Sequence, residues 1–484
     1  MNKRDTLGNV VTASLLVVSV SYADETIESK RTLKTNYQEI YNKTPGSAEN
    51  LADMFKEGMF YGRLRSNTFY YDWEEETATQ NSHLISGLGG SLIYKSASFA
   101  DIDFTAGLYY SKAFFDEDDD PVNRLKPGKD VLSRYDFSNG GSKSMSVLGQ
   151  AYVSYKGVRD TEFSLGRQLV ETFYTKSNDT KMIPNTFDGA VIENKSLPKT
   201  SVKVAYLAKQ KLRDHTSSHS VLMYDDSDTA NDSTWNGNDD SAMHRGLTYT
   251  ALTAAGKDTD APLIVGDIKN RSIDDLSLDL SFYKVPELLS EIMAEANYEI
   301  SLNSFSLTPG IRYIKQYDNG AGAVGGAAYD TDTTGYKDPN SLDAQMIAAR
   351  VVTKYKNYKL NLGYTNILDE ADLITPWRGF PTGGYTRSMA RYNWRANTKS
   401  YRAELMINQN KKGVYKDLYM QLSFLHTDAD ETKGDFDEDY YYAGFVQNIP
   451  SFVDLQWRLR LGYTDTKKPD ADSLDGRFEL NYLF

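Results

Sequence analysis

Runs of about ten residues in which apolar and polar side chains alternate recur along this chain, and they constrain its fold more than any other feature. Leu88, Gly90, Leu92 and Tyr94 alternate with Gly89, Ser91, Ile93 and Lys95. Ile102, Phe104, Ala106, Leu108 and Tyr110 follow in the same pattern. So do Leu276 to Phe282, Ile292 to Ile300 and Val453 to Tyr463. Successive side chains of a strand point to opposite faces, so each run predicts a strand with one apolar and one polar face. A soluble sandwich can show this pattern, but these runs are long, and Tyr repeatedly closes the apolar face, where an interfacial girdle would put it. The predicted class is all-β, a transmembrane antiparallel barrel.

The N-terminus agrees with export. Lys3 and Arg4 precede an uncharged, mostly apolar stretch, Val10 to Val20, and Ser21-Tyr22-Ala23 forms a small-x-small cleavage site. That order predicts a signal peptide over residues 1–23. The stretch is too short for a spanning helix. The 484 residues contain no Cys, which excludes disulfide scaffolds, thiolate metal sites and a lipidated N-terminus. A net charge of −13 argues against a nucleic-acid partner. Five His leave little room for metal or acid–base chemistry, and neither a cofactor nor a metal is expected.

Short links, such as Ser96–Ala100, Gly157–Asp160, Lys356–Tyr358 and Asn448–Phe452, alternate with long polar ones, such as Asp116–Lys143, Arg213–Ala261, Gln316–Ser341 and Asn366–Lys399. Outer-membrane barrels have short periplasmic turns and long outer loops. The count is about 18 strands, the eighth over Pro262–Lys269, provided that Val285–Ser290 is a short outer loop. Residues 58–484 then form the barrel. Residues 24–57 read as a periplasmic segment of unassigned role, with a short helix at Asn50–Lys56. Phe478, Leu480, Tyr482 and Phe484 share one face of the last strand, which ends on an aromatic, the kind of strand that the barrel-assembly machinery reads. Expected partners are outer-membrane lipids, lipopolysaccharide and small solutes, with the barrel a monomer or a trimer.

Four segments carry a family resemblance: Leu64 to Trp73, the Leu84–Tyr110 hairpin, Lys416 to Leu422 and, most specific, Asn178-Asp179-Thr180-Lys181-Met182-Ile183-Pro184-Asn185-Thr186-Phe187-Asp188-Gly189. The last is similar to an Asp-x-Arg-x-x-Pro-x-x-Phe-x-Gly run, with Lys181 where Arg is usual. Over residues 55–484 the chain resembles an OprD-type porin, most like those of the Campylobacterota. The resemblance implies an 18-stranded channel for passive diffusion of small solutes, often carboxylate-bearing. They pass between a row of inward basic side chains and an infolded third loop.

Strand parity assigns the residues. Phe60 and Leu64 take the lipid side, so Arg63 and Arg65 point inward; by the same logic so do Arg312, Arg350, Arg402, Arg458, Arg460 and Arg477. A charge on the lipid face near the midplane costs roughly 2–4 kcal/mol, which makes the inward placement nearly obligatory. Each Arg could equally pair with an inward acid such as Glu295, Glu299, Glu404, Asp454 or Glu479. Glu171, Tyr174, Asn178, Asp179 and Lys181 are the constriction candidates of the third loop, Gln168–Asn185. Trp377 to Met389, rich in aromatics, Gly and Arg, reads as a self-packed surface loop; the alternative folds it over the pore and adds Arg378 and Arg387. The acid runs Asp116–Asp120 and Asp428–Asp439 lack the EF-hand order and read as solvated loop faces. Two other functions stay open. An outer-leaflet hydrolase would need a nucleophile motif beside His83, His215, His219, His244 or His426, and none is recognisable, so no enzyme is expected. An adhesin or receptor would use the outer loops over a closed lumen.

Overall fold

The computed structural model describes residues 31–33, 39–41, 44–76, 82–116, 131–223, 243–389, 391–408 and 416–484. The expected signal peptide and the acid run 117–120 lie outside them.

Eighteen long strands close into one antiparallel barrel. They are β1 (Met59–Trp73), β2 (His83–Lys95), β3 (Ile102–Asp116), β4 (Ser144–Val158), β5 (Thr161–Gln168) and β6 (Thr186–Asn194). Then come β7 (Thr200–Lys211), β8 (Leu263–Asn270), β9 (Leu276–Val285), β10 (Leu289–Tyr298), β11 (Phe305–Asp318) and β12 (Ala344–Tyr355). The last six are β13 (Tyr358–Ile367), β14 (Lys399–Ile407), β15 (Tyr419–Asp428), β16 (Glu438–Ile449), β17 (Phe452–Thr466) and β18 (Ser473–Leu483). β18 pairs with β1, placing Asn481 opposite Arg65, and the terminal Phe484 exchanges both backbone hydrogen bonds with Gly62, at 3.1 and 3.0 Å. No strand edge is left in lipid. The eighth strand and the short outer turn 286–288 lie where alternation puts them. Asp160 and Lys356 adopt left-handed backbone, φ 53° and 52°, in the tight inner turns.

Alternation sorts side chains as expected: Leu64 is 59% exposed, whereas its neighbours Arg63 and Arg65 are 0% and 1% exposed. Tyr298, Tyr317, Tyr355, Tyr358, Tyr463 and Tyr482 remain on the outer face. The apolar core therefore lies inside the barrel, built by infolded loops. The third (L3, 169–185), fourth (L4, 212–262), sixth (L6, 319–343) and seventh (L7, 368–398) contribute Tyr174, Leu222, Leu247, Ala327, Ile374 and Trp377 to one buried cluster against the wall. The Trp377 indole N–H donates to the Val221 carbonyl at 3.0 Å. L7 is thus not a surface loop. Its aromatics and glycines pack against L3, and Gly379 is required there: a Cβ would lie 2.3 Å from the Phe173 carbonyl oxygen.

A charged passage between two infolded loops

L3 docks through one carboxylate. Asp179 accepts from Arg63, and from Arg65 at 2.7 Å; Arg65 also pairs with Glu479 of β18, and the Arg63 Nε lies 2.8 Å from Glu39. The result is a buried chain, Glu39–Arg63–Asp179–Arg65–Glu479. Taking a guanidinium out of water costs several kcal/mol unless acids meet it, and here each guanidinium meets two. Arg63 and Arg65 point inward as parity requires, but they hold the loop, and the chain's own acids occupy them. The rest of L3 is anchored through its main chain. The Asn67 amide donates to the Lys181 carbonyl at 3.1 Å, the Lys211 ammonium to that of Pro184 at 3.0 Å, and the Phe173 N–H to Asp267 at 3.0 Å. Glu171 accepts from the Ser177 N–H at 2.8 Å, and Lys181 sits 4.1 Å over the Phe69 ring. Tyr174, fully buried, stands edge-on to Tyr283. Asn178 takes left-handed backbone at the loop's tip, φ 42°.

L7 docks the other way, offering carbonyls to wall arginines. Arg312 donates to Pro381 and Gly383 at 2.6 and 2.9 Å, Arg350 to Gly384 at 3.0 Å, and Arg402 to Arg387. The Tyr385 ring lies 4.5 Å from both the Arg312 and the Arg350 guanidinium carbon. These arginines also pair with inward acids: Arg312 and Arg350 share Glu295, at 2.7 and 2.9 Å, and Arg402 takes Glu404. Arg477 pairs with Asp475, and Arg458 stands 3.9 Å from Glu479. The paired reading of the inward arginines describes all of these.

Arg387 and Arg460 differ. Among the described residues no carboxylate lies within ion-pairing distance of either, and neither guanidinium makes a side-chain hydrogen bond. Arg460 lies across from Arg477 in the β17–β18 register. Arg387 stacks on Phe380, 3.3 Å from guanidinium carbon to ring centroid. Burial, reinforced by the guanidiniums of Arg213, Arg378 and Arg477, pushes the Arg387 pKa down to about 10, so it is still charged at neutral pH. The section between L7 and β17 is therefore a patch of excess positive charge. Arg213 and Arg387 belong to loops, where no periodicity aims side chains; the density of Arg and aromatics in Trp377–Met389 was the only signal.

Beside Phe380, on which Arg387 stacks, a cavity of about 240 Å³ is lined by Phe380, Tyr392, Trp394 and Tyr329, with Arg245, Arg378, Arg395 and Asp372 on its wall. The Tyr392 and Trp394 ring centroids are 4.9 Å apart. Asp428 and Glu431 of the run 428–439 are exposed, but its other acids stitch the outer loops. Lys433 bridges Asp430 and Asp369, at 2.6 and 2.8 Å, and Arg395 joins Asp330 to Asp435, at 2.6 and 3.4 Å. Among the described residues no group of three or more His, Cys, Asp or Glu side chains is placed to hold a metal.

Solved structures with the same fold include OccK8 (OprE) of Pseudomonas aeruginosa, at 16% identity and TM-score 0.67, covering 89% of this chain and 99% of that one. They also include a BenF-like porin of Pseudomonas fluorescens Pf-5, at 14% and 0.68 with the same coverage, and OpdK of Pseudomonas aeruginosa with vanillate, at 12% and 0.64, covering 88% and 98%. No curated protein matches the sequence. The sequence model described as outer membrane porin, OprD family, matches residues 149–414, more than half of the chain, from the β4 wall through L3 and L7 to the end of β14. With the barrel, the infolded L3 and this match together, the chain belongs to the OprD family of outer-membrane porins.

Proposed function

We propose that this porin passes small carboxylate-bearing solutes by passive diffusion, along a track from the L7 vestibule to Arg387 and then Arg460. One observation carries the reading: where Arg63, Arg65, Arg312, Arg350, Arg402 and Arg477 are held by acids or carbonyls, these two guanidiniums have no acid partner among the described residues. In a low-dielectric lumen, unneutralised charge acts strongly on an anion, and sites that bind weakly in series let it move on. The acidic total of −13 does not oppose this. Screening limits outer-loop charges to about 8–10 Å at physiological salt, so the narrow section answers to its own charges. The aromatic vestibule, and the vanillate held by the OpdK neighbour, favour solutes that add a ring to the carboxylate.

The surrounding assignments belong to the same proposal. Residues 1–23 are removed on export, the β18 strand is read by the assembly machinery, and the outer rim meets lipopolysaccharide. Liposome swelling tests the function. Succinate should enter at least as fast as its uncharged diamide, and Arg387→Gln with Arg460→Gln should cut succinate entry severalfold while leaving the diamide unchanged. A diamide that outruns succinate in the wild type, with no change in the variant, would overturn the reading.

A further inference from the structure

A carboxylate already sits in the lower passage, and it comes from the chain's own N-terminal segment. Residues 31–33 and 39–41 pair antiparallel, with Leu33 opposite Glu39. Glu39 is 8% exposed, ion-paired to Arg63 at 2.8 Å and hydrogen-bonded by the Ser91 hydroxyl. Two residues on, the Tyr41 ring stacks on Tyr61, with centroids 6.1 Å apart and planes 17° apart. Arg63 and Ser91 are register partners across β1 and β2, and Tyr61 is the next inward residue below Arg63. Ser91 lies four residues above the end of β2, so Glu39 reaches about 13 Å into the barrel at roughly 3.3 Å per residue.

The chain's path is consistent with this. Ala48 donates to Ser98 in the inner β2–β3 turn at 2.7 Å, and the helix Leu51–Lys56, capped by Asn50, lies beside it, its Met54 carbonyl accepting from Ala97 at 2.9 Å. The segment is therefore pinned at the periplasmic rim and turns up inside the barrel.

Arg63 thus receives two carboxylates of different standing. Asp179 belongs to a loop clamped along its whole length. Glu39 belongs to a pair of three-residue strands, and so short a pair has little stability of its own. Of the two, Glu39 is the exchangeable one, and when it leaves, Arg63 keeps one acid and regains room for another.

We propose that the arm bearing Glu39 and Tyr41 is a tethered competitor: Glu39 fills a second carboxylate site, on Arg63 and Ser91 at the periplasmic end of the passage, which a permeating carboxylate takes by displacing it. This rests on the carboxylate reading above. A tethered ligand acts at an effective concentration of about millimolar, so solute at that level competes, and the returning arm displaces the bound solute.

Single-channel recording in KCl tests it, with succinate added on the periplasmic side. Glu39→Gln and Glu39→Lys should raise unitary conductance, roughly twofold as the lower passage clears, and shift the reversal potential toward anions. Millimolar succinate should then block the Glu39→Gln channel in a concentration-dependent way that the wild type shows more weakly. Glu39→Asp, which keeps the charge, should stay close to wild type, separating loss of the carboxylate from general damage to the fold. Unchanged conductance in both Gln and Lys variants would overturn the proposal, because the arm would then not stand in the passage. So would a conductance rise without succinate block, because the freed Arg63 would then not be a carboxylate site. Failure of the carboxylate reading shows elsewhere, in the unaltered succinate entry of the Arg387→Gln/Arg460→Gln channel.

Discussion

L3 and L7 both fold into the barrel, yet they leave opposite electrostatic marks. L3 reaches the β1 arginines with a side-chain acid, and Asp179 together with Glu39 and Glu479 cancels the guanidiniums it touches. L7 reaches the β11, β12 and β14 arginines with main-chain carbonyls, which satisfy N–H donors without adding charge. L7 also brings Arg378 and Arg387 of its own. Both loops bury well; only the carbonyl-docked one leaves net positive charge facing the passage.

The largest way to break this contrast is at Asp179. Breaking a buried ion pair costs about 3–5 kcal/mol, and here two guanidiniums each lose one of their two acids, Arg63 keeping Glu39 and Arg65 keeping Glu479. Asp179→Ala should lower the urea midpoint of unfolding, followed by heat-modifiable gel mobility, release L3 and raise unitary conductance severalfold. Next comes the seam between the loops, where the Gly379 N–H donates to the Tyr174 carbonyl at 3.0 Å. Gly379→Val places a branched side chain into backbone, and such overpacking costs about 1–3 kcal/mol. It should part L7 from L3 and open L7 to limited trypsin digestion.

A pH effect should sharpen the comparison, because it concerns the outer stitching of L7 and leaves the β1 chain alone. Burial raises the Asp435 carboxyl to about 6, with Asp372 and Asp330 adding to it against the pull of Arg395. A carboxyl whose folded pKa lies above its ordinary value of 3.8 stabilises the fold fully below that value, and this contribution is lost as pH rises through about 6. Tryptic cleavage in the outer loops should therefore be slower at pH 5 than at pH 7.5, and Asp435→Asn should flatten the difference. The smallest effect is expected where the net charge is kept: Glu295→Gln with Arg312→Gln removes one charge of each sign from the Arg312–Glu295–Arg350 trio, leaves its single excess positive charge on Arg350, and should leave the reversal potential nearly unchanged.

Strand positions and the inward arginines were legible because period-two alternation fixes which face a side chain takes and lipid excludes charge from one of them. L3 was legible through Asn178–Gly189, a local run with Asp179 at its head. L7 was misjudged as a surface loop because a compact loop has the same composition whether it packs on itself or on a wall; what decides is Gly379 meeting Tyr174 and wall arginines finding carbonyls, contacts between residues far apart in sequence. Parity gave the direction of Arg63 and Arg460 alike but not their different fates, since that depends on which acids L3 and β18 bring within reach. Glu39 carried no signal, being one acid in a segment without periodicity.

The central claim is that ion preference is set by the arginines that the acids do not reach. Reversal potential in a KCl gradient tests it most directly, comparing Arg387→Gln/Arg460→Gln with Glu295→Gln/Arg312→Gln in the same bilayer. The account predicts a clear shift toward cations in the first and almost none in the second. Equal shifts in both, or a shift only in the second, would contradict it.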